Sequence, residues 1–179
     1  MNDGVILLVE DDPNLAELVK LQLKQDEFTN EVVVACDGVE AIDYLLEEGR
    51  KAHQMPCLVL LDLHMPRMDG FGVLRKMRSD ERTRLVPVVM LGSSNHHVDV
   101  RVAYEEGANA YLDAVSGRVP WPEQISTVAR FWLGLNISPH SWGCGIHARA
   151  GIPPAPGELL LRTPSTRSSQ NYPTTRLSE

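Results

Sequence analysis

Apolar positions along the chain fall into two alternating kinds of run. "VILLV" (5–9), "EVVVAC" (31–36), "CLVLLD" (57–62), "VPVVML" (86–91) and "AYL" (110–112) are short and continuously apolar. Such runs suit buried strands and are too short for helices. Between them, apolar residues recur at three- and four-residue spacing. Leu15, Leu18, Val19 and Leu23 follow Asp12-Pro13, an N-cap acid with proline at the first helical position. Val39, Ile42, Leu45 and Leu46 follow Asp37-Gly38 and stop at Gly49; Phe71, Leu74 and Met77 form a third set. A weaker helix is expected from about 98 to 106, stopped by Gly107. Pro122 starts a last one, with Ile125, Val128, Ala129, Trp132 and Leu133 inward.

Strands alternating with helices, and apolar on both faces, predict an α/β fold: a doubly wound parallel sheet covered on each side. Ligands of such sheets bind beyond the carboxyl ends of the strands, where strand order reverses. Glu10, Asp11 and Asp12 follow the first strand and Asp62 ends the third. If these strands are neighbours, Glu10, Asp11 and Asp62 crowd together. Two like charges about 4 Å apart repel by roughly 4 kcal/mol at an effective dielectric of about 20, so the cluster calls for a proton or a cation. Oxygen ligands suit Mg²⁺ or a similar hard ion. Asp12 reads as a helix cap only. Asp62 reads as functional, because the turn after it has its own acid in "MDG".

Composition adds a boundary. Up to residue 136 there are 13 basic and 22 acidic residues; from 137 onward there are four arginines, no lysine and two glutamates. The second part, residues 137–179, holds six of the 12 prolines and has no periodicity, so it is expected to be a disordered tail, a partner-binding arm or not native. The chain's formal charge of −7 argues against nucleic acid as a partner. No run approaches the roughly 18 apolar residues of a membrane helix, and the N-terminus has no signal pattern, so no membrane association and a cytoplasmic protein are expected. Cys36, Cys57 and Cys144 lack C-x-x-C spacing, and the first two, in strand-like runs, are expected to be buried thiols.

The segments "ILLVEDDPNLAELVK", "LVLLDLHMPRMDGFGVLRKMR" and "LVPVVMLGSSN…AYEEGANAYL" resemble the receiver domain of bacterial response regulators over residues 4 to about 136. The resemblance implies a flavodoxin-like sheet in the order 2-1-3-4-5. It implies that residues 1–136 form a stand-alone receiver in two-component signalling, with Asp62 accepting a phosphoryl group from a sensor histidine kinase. It also implies Mg²⁺ held by Glu10, Asp11, Asp62 and the main-chain carbonyl of His64. The chemistry agrees, because a carboxylate attacks a phosphoryl group poorly unless a metal neutralises the oxygens around it. The closing "VARFWLGLNISP" resembles single-domain regulators that serve phytochrome-type kinases.

The chain departs from the receiver pattern at two places. Receivers carry Thr or Ser at the end of the fourth strand and Lys at the end of the fifth. Counted from Pro87, the hydroxyl position is Gly92, with Ser93 or Ser94 next to it; the Lys-Pro position is Asp113-Ala114 or Ala114-Val115. No lysine occurs after Lys76. Gly92, Ser93, Tyr111 and Ala114 therefore make up the expected switch, and phosphorylation, its relay to Tyr111, or both are expected to be weakened. The rival reading is a pseudo-receiver, a protein-interaction module independent of phosphate. A phosphatase or phosphotransferase needs a second acid two residues after its nucleophile, and His64 stands there. Homodimerisation is expected through the fourth helix, fifth strand and fifth helix, where Val98, Val102, Tyr104 and Tyr111 are the apolar candidates.

Overall fold

The computed structural model describes residues 4–50, 55–92, 97–114 and 119–137. The expected tail from 138 onward, Ser93, Ser94 and Cys144 lie outside them. Among the described residues five strands and five α-helices alternate: β1 (Val5–Val9), α1 (Pro13–Gln25), β2 (Val32–Ala35), α2 (Gly38–Leu46), β3 (Pro56–Asp62), α3 (Gly70–Ser79), β4 (Val88–Gly92), α4 (His97–Glu105), β5 (Ala110–Asp113) and α5 (Trp121–Ala129). A π-helical segment, Arg130–Leu135, continues α5. All pairings are parallel, in the order β2-β1-β3-β4-β5. The doubly wound, flavodoxin-like fold is the one expected.

Alternation along each strand divides the core. Leu7, Val9, Val59, Leu61, Val88 and Met90 face one side, packing with Ala41, Leu45, Val73, Leu74 and Met77 of α2 and α3. Ile6, Leu8, Leu58, Leu60, Val89 and Leu91 face the other, with Val19 and Leu23 of α1 and Ile125, Ala129 and Leu133. Because β3 is central, every one of its residues except Asp62 is buried. The strand direction delivers that aspartate to the carboxyl edge.

Local chemistry sets the helix starts. Asp12, Asp37 and Asp69 cap α1, α2 and α3, accepting from the N–H groups of Asn14, of Val39 and Glu40, and of Gly72 respectively. Within the cores of the helices, α1 buries three residues and α3 four, whereas α4 buries Ala103 alone. Polar groups join α1 to α5: the Ser126 hydroxyl donates to Asp26, and the Gln22 amide donates to both, at 3.0 Å and 3.2 Å.

Several expected details shift. The helical stripe of α1 is rotated, so that Ala16 is buried and Leu18 is 42% exposed. Strand β2 ends at Ala35, so Cys36 is exposed; its N–H donates to the Glu40 carboxylate instead of a strand partner (2.7 Å). Cys57 is buried as expected. Strand β4 begins after Pro87, which has no N–H to give the ladder, and runs on to Gly92. No helix among the described residues is long and apolar enough to cross a membrane.

Candidate metal and phosphoacceptor site

The neighbouring ends of β1 and β3 bring Glu10, Asp11 and Asp62 together. One carboxylate oxygen from each lies within 4.8 Å of the others. Burial differs steeply across the three: Glu10 is 4% exposed, Asp62 half-buried and Asp11 exposed. Burial, followed by the negative charges of Asp62, Asp11 and Asp12, raises the Glu10 carboxyl to about 7, against an opposing hydrogen bond from the Asp12 N–H. Burial also raises Asp62, opposed by the N–H groups of His64 and Leu63. The ligand set fits a hard divalent cation. Glu10 Oε1 accepts from the Asp12 N–H at 3.1 Å, but Oε2 is buried with no hydrogen-bond partner, an arrangement a cation would satisfy.

The turn after Asp62 fixes its carboxylate. The His64 N–H donates to Asp62 Oδ2 at 2.9 Å while the His64 side chain stays exposed. Pro66, Arg67 and Met68 form a γ-turn, with the Met68 N–H on the Pro66 carbonyl (2.7 Å) and Arg67 at φ +65°. Arg67 forms an ion pair with Asp37, the cap of α2, which the sequence reading missed. Gly70 then lets α3 start against the strand end: its N–H donates to Leu63 O at 3.0 Å, and any Cβ there would strike the Asp62 carbonyl. Only glycine permits this approach.

The opposite rim holds the positions that depart from the pattern. Gly92 ends β4 in register with Asp113, and the Ala114 N–H donates to the Gly92 carbonyl at 3.0 Å. Ala114 is exposed, and its side chain offers no charge. Gln124 Nε2 donates to the carbonyls of Asp113 (3.0 Å) and Val119 (2.8 Å), tying the end of β5 to α5. Tyr111, from β5, lies over Gly92: a β-carbon added there would overlap the Tyr111 hydroxyl and ring. No motif announced that contact.

The family model for the response regulator receiver domain matches residues 6–114. The chain belongs to this family. The receiver is 38% identical to the probable methanogenesis regulatory protein FilR2 of Methanothrix harundinacea, over 75% of this chain and 87% of that protein. It is 33% identical to the response regulator Rcp1 of Synechocystis, over 72% and 88% respectively. The crystal structure of Mn²⁺-bound Rcp1 superposes on the receiver with a TM-score of 0.68, at 32% identity, covering 76% of this chain and 99% of that one. That of the phosphorylated cyanobacterial phytochrome response regulator RcpA gives 0.69, at 33% identity and 76% and 98% coverage. The receiver is thus a module of two-component signalling, similar to phytochrome-associated regulators.

Proposed function

We propose that this receiver is phosphorylated on Asp62 by a sensor histidine kinase of the phytochrome type, with Mg²⁺ as its cofactor. The observation that carries the reading is the convergence of three carboxylates around the unpartnered Glu10 Oε2. Glu10, Asp11, Asp62 and the main-chain carbonyl of His64 would hold the ion, which supplies positive charge to the oxygens of the incoming phosphoryl group. Asp62 attacks phosphorus, the P–N bond to the kinase histidine breaks, and an acyl phosphate forms. The His64 N–H aims Asp62 and, with that of Leu63, opposes the upward push of burial on its carboxyl, while the apolar β3 lies behind it. Asp62 accepts and holds; no second acid stands two residues on to drive turnover, so the protein is not an enzyme on this reading. The kinase assignment draws support from Rcp1 and RcpA, and on this reading the protein meets the kinase's phosphohistidine in the cytoplasm.

Ala114 leaves the phosphoryl group without the usual lysine, so transfer is weak. That same loss favours a second reading, an interaction module that works without phosphate. In either case the contact face is α4-β5-α5, where Val98 (70%) and Tyr104 (54%) are exposed, and a homodimer through it is part of the proposal. Incubation with Mg²⁺ and a small phosphodonor tests the first reading. A mass gain of one phosphate that vanishes in Asp62→Asn is expected; no gain in the wild type leaves the second.

A further inference from the structure

We propose that the phenol of Tyr111 supplies the phosphoryl-contacting hydroxyl that the end of β4 lacks; the inference rests on Asp62 being the phosphoacceptor. Strand pairing sets Asp62 opposite Leu91, and the Leu63 N–H donates to the Leu91 carbonyl at 3.1 Å. Gly92 is the next residue of β4, so a side chain there would project from the sheet edge beside that aspartate. It has none. Tyr111 belongs to β5, two residues before Asp113, the register partner of Gly92. Its ring is half-buried against the α2-α3 side of the core, and its hydroxyl is the atom nearest the point where a residue-92 β-carbon would be. A serine hydroxyl at 92 would lie one bond beyond that carbon. The phenolic oxygen thus stands in the region from which such a hydroxyl would reach a phosphoryl group on Asp62.

Two features make the substitution coherent. Phenol and side chain exclude each other, because any residue larger than glycine at 92 overlaps the ring; glycine is what admits the tyrosine. A phenol also donates one hydrogen bond as a serine does, from a ring with only two torsions to hold still. With no lysine after Lys76, this neutral donor carries a larger share of the contact to the anion. In the transfer from a small acyl phosphate, the donor's P–O bond breaks, a P–O bond to Asp62 forms and the carboxylate of the donor leaves. Tyr111 keeps its proton throughout and shares it with a phosphoryl oxygen.

The test uses the full chain with Mg²⁺ and acetyl phosphate, read by intact mass, by the lifetime of the label after donor removal, and by the phosphorus NMR shift of the acyl phosphate. A hydrogen bond to a charged oxygen predicts that Tyr111→Phe lowers labelling or lifetime by about tenfold and moves the phosphorus resonance. Mg²⁺ affinity and melting temperature should stay at wild-type values. Gly92→Ser combined with Tyr111→Ala, which clears the ring from the serine β-carbon, should recover most of what Tyr111→Ala alone loses. Wild-type labelling of Tyr111→Phe, or failure of the double variant to recover, would overturn the assignment. A wild type that takes up no phosphate sinks the Asp62 reading and this one with it.

Discussion

Arg67, at the left-handed corner after β3, is paired with Asp37, the residue that caps α2. The pair joins the turn that positions Asp62 to a helix on one face of the sheet, but its two members are unequal. Asp37 is 6% exposed and also accepts from two N–H groups, whereas the Arg67 side chain is 60% exposed. Truncating the arginine leaves a carboxylate that is still hydrogen-bonded. Truncating the aspartate removes a helix cap and a buried acceptor together. Urea unfolding should therefore show Asp37→Ala losing about 2 kcal/mol and Arg67→Ala less than about 1 kcal/mol. Equal losses would mean that the ion pair, not the cap, dominates.

Metal affinity should depend on pH through Glu10. Its carboxyl titrates at about 7 in the metal-free protein, so below that pH an incoming cation must displace a proton. Isothermal titration with Mg²⁺ should give an affinity that levels off above pH 8 and falls by up to about tenfold per pH unit below 7. In Glu10→Gln, binding should be weaker and nearly independent of pH over this range. An affinity flat between pH 5.5 and 8 in the wild type would remove Glu10 from the ligand set.

The same group sets the stability of the metal-free fold. A raised carboxyl favours the folded state while it is protonated, and that contribution disappears as pH rises from the ordinary glutamate range through about 7. Above that, the fold holds a buried charge among like charges. Thermal melts at pH 8 with a chelator should show Glu10→Gln more stable than wild type by roughly 1 to 3 kcal/mol, with the gap closing near pH 5. Saturating Mg²⁺ should reverse the order.

Asp26 behaves in the opposite sense. The Ser126 hydroxyl above all, with Gln22 and Arg130, holds its carboxyl below the ordinary aspartate range against the opposing effect of desolvation. Its contribution is present at neutral pH and is lost as pH falls through that lowered value. Ser126→Ala should thus be less stable than wild type at pH 7, and the difference should shrink as the pH falls through that lowered value. A constant difference across pH would mean that the hydroxyl acts through packing alone.

The helix caps and the central strand were legible because their signals are local. Asp12-Pro13 and Asp37-Gly38 need only their own N–H groups, and a seven-residue apolar run has few other places to lie. The meeting of Glu10, Asp11 and Asp62 followed once β1 and β3 were taken as neighbours. What escaped depends on side chains meeting across long separations. Ser126 finds Asp26 from 100 residues away, and Tyr111 reaches Gly92 across a strand pair. Leu18 and Ala16 could not be ordered by periodicity, since either sits within a broad stripe and only the shape of the neighbouring sheet chooses between them.

Four of the five described helices bury several side chains each; α4 fully buries that of Ala103 alone, with Val100 and Val102 half-buried beside it. Prying it away sacrifices so little apolar cover that its amides should trade hydrogen for deuterium before those of any other helix. A signal arriving at the strand tips would find its cheapest outlet there.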